Sequence, residues 1–275
     1  MSSRSFSSSL RPWILACVAA LGAGCSSEPQ PGPARVELAV YAAASTRDAL
    51  LALEEVYEQR HAVDLFFNFG SSGDLSKQIV AAAQADVFLS ADEREMDKVE
   101  QAGLVAAGTR RALLSNQLVV IEPVDAPALF TAPFAPAQLA DPRVARLSLA
   151  DVATVPAGRY AKAWLERIGV WSSVAERVLP GVDARAALAA VESASAQAGI
   201  VYRTDAAPSK QVRVVFVVPV EDGPRISYPV AAMAGRPAQV QARLFAEFLA
   251  TPAAGSVFAE RGFVFLAGPT ASTPN

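Results

Sequence analysis

The sequence predicts an α/β fold built on doubly wound sheets, with helices covering both faces of each sheet. Two observations support this prediction. Short apolar runs with strand character alternate along the chain with segments of helical period, and such alternation favours parallel sheets. In addition, 52% of the 275 residues are hydrophobic and only 19% are charged. This composition supplies enough apolar surface for a sizeable core and excludes a disordered chain.

Three strands and three helices are predicted between residues 36 and 99. Buried runs predict the strands at residues 36–43, 63–69 and 86–90. A helix follows each strand because apolar residues then recur at helical spacing. The first helix opens at residues 45–48, the second covers residues 75–83, and the third begins after Asp92, a predicted N-cap.

A second series of strands and helices begins with a strand at residues 118–121. The later predicted strands are residues 199–202, 212–218 and 226–232. The later predicted helices are residues 157–168 and 184–191, followed by helices within residues 237–260. The alternation of strands and helices therefore continues to the C-terminal part of the chain.

Residues 1–24 predict a secretory signal peptide. Arg4 and Arg11 precede an apolar run that is too short to span a membrane, and small residues follow this run. Residues 25–35 are rich in proline and predict a tether. The segment around Cys25 resembles a bacterial lipoprotein leader, which implies lipidation of Cys25, although Gly22 stands where that pattern has leucine. Cleavage nearby without lipidation is the alternative.

Cysteine, histidine and charge content exclude several classes of function. Cys17 and Cys25 both lie in the leader, so the folded part is predicted to have no disulfide and no thiolate metal site. The single histidine, His61, is predicted to lie in a surface loop, which leaves no evident base for a catalytic triad. The net charge of −3 gives no reason to expect nucleic acid as a partner. Phosphate-loop and nucleophile-elbow motifs are also missing, and we predict that the protein is not an enzyme.

Small or hydroxylated residues recur where predicted helices begin. Ser45 and Ser72 each follow a strand, Ala157 follows Pro156, and Ala184 follows the predicted N-cap Asp183. Helix N-termini present unpaired N–H groups and a positive dipole end, which together favour an anion. Each position alone is more typical of an ordinary cap or turn. Their recurrence indicates an anion site but does not establish one.

The chain resembles the periplasmic molybdate-binding protein family. The similar motifs occur in the family's order at residues 41–45, 86–92, 116–120, 155–162, 199–202, 228–231 and 245–263. The resemblance covers essentially everything after the tether. Several motifs in the right order are far more specific than any one of them.

This resemblance implies a two-lobed periplasmic binding protein of type II topology, in which the chain crosses between the lobes twice. The first lobe is expected to contain residues 36–114 and 226–270, and the second residues 115–225. The resemblance also implies capture of molybdate or tungstate between the lobes and delivery to an ABC importer, whose permease and ATPase are the expected partners. A monomer in the periplasm or cell envelope, without a cofactor, is the implied state.

Five ligand-binding residues are carried over from the family. Ser45 and Ser72 are expected to offer a hydroxyl and a backbone N–H, Ala157 and Ala184 a backbone N–H, and Tyr202 its phenol. No protein atom is expected to coordinate molybdenum directly. Ala184 stands where the family often has valine, which changes little because the backbone donates.

The residues around these positions lead to two further expectations. Gly73-Asp74 replaces a serine or threonine common in the family, and the sequence leaves the direction of the Asp74 carboxylate open. A tetrahedral dianion accepts hydrogen bonds only, so neutral donors satisfy it without a counter-charge. The three arginines in the first turns of these helices are therefore predicted to face solvent: Arg47, Arg159 and Arg185.

Three other functions stay open at this point. A protein of the same fold for sulfate or phosphate is the nearest, although phosphate needs an acceptor for its proton and only Asp74 offers one. A secreted serine hydrolase using Ser45 or Ser72 would need a base that the sequence does not obviously supply. A ligand sensor or scaffold that serves no transporter is the third.

Overall fold

Two β-sheets organise residues 35–266, the part of the chain that the computed structural model describes. The first sheet has the strand order β11-β4-β10-β3-β1-β2. Its strands are β1 (Val36–Ala43), β2 (Val63–Gly70), β3 (Val87–Leu89), β4 (Arg111–Ser115), β10 (Tyr228–Ala232) and β11 (Val264–Phe265). The second sheet has the order β7-β6-β8-β5-β9. Its strands are β5 (Leu118–Pro123), β6 (Leu147–Ala150), β7 (Val178–Gly181), β8 (Ala198–Tyr202) and β9 (Val212–Val217).

Helices pack against each sheet, and each sheet with its helices forms one lobe. The first lobe contains α1 (Arg47–Glu58), α2 (Ser72–Ala82), α3 (Glu93–Gln101), α8 (Gln239–Leu249) and α9 (Pro252–Glu260). The second lobe contains α4 (Pro156–Arg167), α5 (Trp171–Val174), α6 (Ala184–Glu192) and α7 (Arg203–Ala206). The chain passes from the first sheet to the second between β4 and β5, and returns between β9 and β10.

This arrangement confirms the predicted two-lobed α/β fold, although both sheets are mixed and not wholly parallel. β1 pairs in parallel with β2 and β3, whereas β10 is antiparallel to β3 and β4. In the second sheet, β5 is antiparallel to β8 and β9. The strands that adjoin the two crossings account for the antiparallel pairs, because the chain enters the other lobe without the helical crossover that a parallel connection needs.

The strands in the middle of each sheet are buried along their whole length. β3 and β10 in the first sheet and β5 and β8 in the second contain only buried residues. Strands covered by helices on both faces are expected to be continuously apolar. Burial on both faces therefore fixes these strands within the core of each lobe.

The predictions for residues 1–34, including lipidation of Cys25, lie outside the described residues, as do residues 267–270 of the predicted first lobe. Among residues 35–266, none of the helices combines the length and the apolar character that a membrane crossing requires.

Candidate functional site

A small cavity lies between the two lobes, and all five predicted site residues line it: Ser45, Ser72, Ala157, Ala184 and Tyr202. Its volume is about 10 Å³. The neighbouring wall is formed by neutral residues that include Ala43, Gly70, Ser71, Ala91, Val155 and Pro156.

The first lobe supplies two serine hydroxyls at the ends of β1 and β2. Ser72 is the first residue of α2 because Ser71 caps that helix, accepting a hydrogen bond from the Asp74 N–H at 3.1 Å. The Ser72 Oγ accepts a hydrogen bond of 2.9 Å from the Ala91 N–H, so its own proton is left for another acceptor. Ser45 lies in a one-turn 3-10 helix directly after β1 and is 4% exposed.

The second lobe supplies two helix N-termini. Pro156 occupies the first position of α4, where its missing N–H costs nothing, and Ala157 follows it. Asp183 caps α6, accepting from the Ala186 N–H at 2.8 Å, so the helix begins at Ala184. The N–H groups of Ala157 and Ala184 have no acceptor within their own helices because both lie in the first turn.

Tyr202, the last residue of β8, contributes a buried hydroxyl without a hydrogen-bond partner among residues 35–266. Its side chain is 1% exposed, and burial raises the pKa of Tyr202 well above its ordinary value. The phenol therefore stays protonated and can donate. A buried donor without a partner is costly, and it indicates that an acceptor belongs in this cavity.

The carboxylate of Asp74 points away from the cavity. Its oxygens accept hydrogen bonds from Ser71 Oγ at 3.2 Å and from Lys77 Nζ at 3.1 Å, and its side chain is 55% exposed. The direction that the sequence left open is thus settled. No charged side chain is among the residues that line the cavity.

The prediction that the neighbouring arginines face solvent is wrong for Arg159 and Arg185. Arg159 in the second lobe pairs with Asp92 at 2.6 Å and Glu95 at 3.0 Å in the first lobe. Arg185 pairs with Asp48 of the first lobe at 2.6 Å, and its Nε lies 3.0 Å from Asp205.

Both arginines therefore join the lobes, and each pairs with a carboxylate of the first lobe. We call these contacts the interlobe ion pairs. Arg47 is exposed, as predicted, and lies over the ring of Phe69.

Sequence reasoning missed two residues behind Ser45. The Tyr228 hydroxyl lies 3.1 Å from Ser45 Oγ, and the Asn116 Nδ2 donates to that same hydroxyl at 3.2 Å. Both residues belong to motifs that resemble the molybdate-binding family. The signal was present, but nothing in the sequence connects these residues with Ser45.

The arrangement offers several donors and no carboxylate to one small ligand, which suits a fully deprotonated oxyanion. The serine hydrolase alternative lacks support here. Among the described residues, the hydrogen-bond partners of the Ser45 and Ser72 hydroxyls are a phenol and a backbone amide, and neither is a base. His61 is exposed and stacks on Tyr57.

Two lobes that enclose a donor-lined cavity define a solute-binding protein. The sequence profile of the bacterial extracellular solute-binding protein family matches residues 38–264. The chain belongs to this family.

Named relatives narrow the comparison. The molybdate-binding protein ModA of Escherichia coli is 36% identical over 236 residues, which cover 82% of this chain and 88% of the relative. YvgL of Bacillus subtilis, named as a candidate substrate-binding lipoprotein of an ABC transporter, is 34% identical over 248 residues, 88% of this chain and 93% of the relative.

A solved structure of a substrate-binding domain is also similar to this chain. The substrate-binding domain of a candidate molybdenum ABC transporter from Clostridium difficile superposes with a TM-score of 0.65 at 29% identity. The match covers 84% of this chain and 99% of that domain.

Proposed function

We propose that this protein captures molybdate or tungstate in the cavity between its lobes and delivers the oxyanion to an ABC importer. The main observation is the cavity itself, in which neutral donors from both lobes meet and no carboxylate intrudes. Ser45, Ser72 and Tyr202 would donate through hydroxyls, and Ala157 and Ala184 through backbone N–H groups. The name of the Escherichia coli relative supports molybdate as the ligand.

Size is the property by which this cavity would separate molybdate from sulfate. The two ions share charge and shape, so neutral donors cannot distinguish them electrostatically. Metal–oxygen bonds in molybdate and tungstate are longer than the sulfur–oxygen bonds of sulfate. Donors fixed on helix N-termini cannot contract freely around a smaller ion, and hydrogen bonds weaken steeply when stretched.

Phosphate would be rejected for a different reason. At neutral pH it retains a proton and needs an acceptor, but the Asp74 carboxylate is directed at Ser71 and Lys77. The proton would meet another donor and leave one hydrogen bond unmade, at a cost of about 1–3 kcal/mol.

Calorimetric titration of the purified protein with four oxyanions tests the proposal. Molybdate and tungstate are expected to bind tightly and almost equally. Sulfate is expected to bind at least about a thousandfold more weakly, since two or three hydrogen bonds to a charged ligand would be lost, and phosphate about ten- to a hundredfold more weakly, since one bond stays unmade. Sulfate or phosphate binding as tightly as molybdate would overturn the assignment.

The cellular setting is part of the same proposal. We infer that the protein works outside the cytoplasm, in the periplasm or cell envelope, as a monomer held by a lipid on Cys25 and the tether of residues 25–35. The leader motif and the lipoprotein name of the Bacillus subtilis relative support the anchor. A permease and its ATPase are the expected partners.

A further inference from the structure

Asn116 lies at the first crossing between the lobes, and the orientation of its side-chain amide follows from its neighbours. The Gln117 N–H donates to Asn116 Oδ1 at 2.9 Å, which identifies that atom as the oxygen. The other end of the amide is therefore the NH₂ group. It donates to Thr204 Oγ1 at 2.8 Å and to the Tyr228 hydroxyl at 3.2 Å, so both of its hydrogens are used.

The need to satisfy buried protons then assigns a direction to the next bond. The Tyr228 hydroxyl accepts from Asn116, and its other hydrogen-bond partner among the described residues is Ser45 Oγ, 3.1 Å away. If Ser45 donated to Tyr228, the buried Tyr228 proton would have no acceptor, so we assign the donation from Tyr228 to Ser45. Tyr228 is 0% exposed, and burial raises the pKa of Tyr228 far above its ordinary range, which keeps the phenol protonated. Ser45 Oγ thus acts as an acceptor toward Tyr228. Its own proton remains for the cavity, which Ser45 lines.

We propose that Asn116 is a positioning residue that determines specificity: acting through Tyr228, it fixes the Ser45 hydroxyl as a donor toward the ligand. This inference rests on the proposed oxyanion-binding function and deepens it. A serine hydroxyl without such a fixed partner can rotate and present either its proton or a lone pair. The chain from Asn116 to Ser45 removes that choice, and the site then selects oxyanions that have no proton.

A double-mutant cycle tests whether Asn116 acts through Ser45. Molybdate affinity is measured by calorimetry for the unaltered full-length protein, Asn116→Leu, Ser45→Ala and the double variant. Asn116→Leu is expected to weaken binding about tenfold in the unaltered background, because a hydrogen bond to a charged ligand loses its fixed donor. In the Ser45→Ala background the same change should cost less than about twofold.

Thr204→Val provides the matched control. It removes the other hydrogen bond of the Asn116 amide and leaves the path to Ser45 intact, so affinity should stay within about twofold. A second cycle uses Tyr228→Phe with Ser45→Ala, in case Asn116→Leu fails to fold. Tyr228→Phe removes the hydroxyl that links Asn116 to Ser45, and its effect on molybdate affinity should likewise depend on whether Ser45 is present.

Selectivity gives a readout that a purely structural role would not change. Asn116→Leu and Tyr228→Phe should each narrow the gap between molybdate and hydrogen phosphate, because Ser45 can then accept a proton from the ligand. The inference would be overturned if Asn116→Leu lowered molybdate affinity equally with and without the Ser45 hydroxyl, or if it lowered the affinities for molybdate and hydrogen phosphate by the same factor. The proposed function would still stand in that case, provided that the unaltered protein binds molybdate normally. Absence of molybdate binding by the unaltered protein would overturn both.

Discussion

Gly73 in the first lobe touches the backbone of Thr154 in the second lobe so closely that no side chain fits between them. A β-carbon at residue 73 would lie 2.1 Å from the Thr154 carbonyl oxygen. Gly73 is in the first turn of α2, next to Ser72, and Thr154 lies just before α4. The lobes can approach this closely only because residue 73 is glycine.

Gly73→Ala should therefore impede closure without disturbing either lobe. We expect molybdate affinity to fall by more than about tenfold, because the overlap is with backbone and the lobes must separate to relieve it. Small-angle scattering should show a smaller contraction on ligand addition than in the unaltered protein. Val80→Ala is the control, since Val80 lies on the exposed side of the same helix, outside the cavity. Equal affinities for the two variants would contradict this account of closure.

The Tyr202 hydroxyl should matter for binding and not for folding. Tyr202→Phe is expected to leave the melting temperature of the ligand-free protein unchanged or to raise it, because the buried hydroxyl bonds to no described residue. Affinity should fall about ten- to a hundredfold through loss of one hydrogen bond to a charged ligand. Tyr57 is the matched control, since its hydroxyl is also buried and unpartnered but packs near Phe245, outside the cavity. Calorimetry showing equal effects of Tyr57→Phe and Tyr202→Phe would rule out a ligand contact.

The interlobe ion pairs should make affinity depend on salt. Arg159→Gln and Arg185→Gln each remove a contact that exists only when the lobes meet, and each should weaken molybdate binding about two- to fivefold. Titrations at rising ionic strength should show a steeper loss of affinity for the unaltered protein than for the double variant. Arg143→Gln serves as the control, because Arg143 pairs with Asp141 within the second lobe. A salt dependence that survives in the double variant would argue against these pairs as its source.

Asp205 should make stability fall as pH rises. It is 0% exposed, and burial raises its pKa to about 7, although Arg185 partly opposes the shift. Because the folded state holds this proton more tightly than the unfolded state, the stabilisation is complete below pH 4. It is lost as pH rises through about 7.

Denaturant unfolding of the unaltered protein and of Asp205→Asn, measured from pH 4 to 8, checks this dependence. As pH rises from 4 to 8, the free energy of unfolding of the unaltered protein should fall relative to that of Asp205→Asn. A constant difference would show that Asp205 does not titrate in this window.

Cys25→Ser tests the proposed anchor. The variant should lose acylation and leave the membrane fraction, because serine offers no thiol for the lipid. Molybdate affinity should be unchanged, since residue 25 precedes the lobes. Mass spectrometry of the native protein that finds an unmodified N-terminus elsewhere would contradict the prediction.

The residues of the cavity were predicted from the resemblance to the molybdate-binding protein family. Local signals placed Ser45 and Ser72 after strands and Ala157 and Ala184 at helix starts, but these signals did not distinguish a binding site from an ordinary cap or turn. The structure brings all four to one cavity together with Tyr202. Short strands such as β6 escaped prediction because four residues show no clear period.

Contacts between distant parts of the chain could not be predicted. Arg159 and Asp92 are 67 residues apart, and Arg185 and Asp48 are 137 apart. Solvent exposure was the reasonable expectation for each arginine considered alone. The separation of 183 residues between Ser45 and Tyr228 hides their hydrogen bond in the same way. Such pairs depend on how the lobes meet, which no local pattern records.

The position of β10 between β3 and β4 has a consequence for how the polypeptide folds. β4 is synthesised early, but its neighbours β10 and β11 are made only after the whole second lobe. β4 can therefore pair with β10 only when the chain closes a loop that contains the whole second lobe. This step is slow because it depends on contacts between residues that are distant in sequence. A nascent chain that ends before residue 228 holds β4 without a partner and leaves an edge of β3 open to association with other chains. The lobe that begins first is thus completed last, and the chain is most vulnerable to aggregation just before its final strands are made.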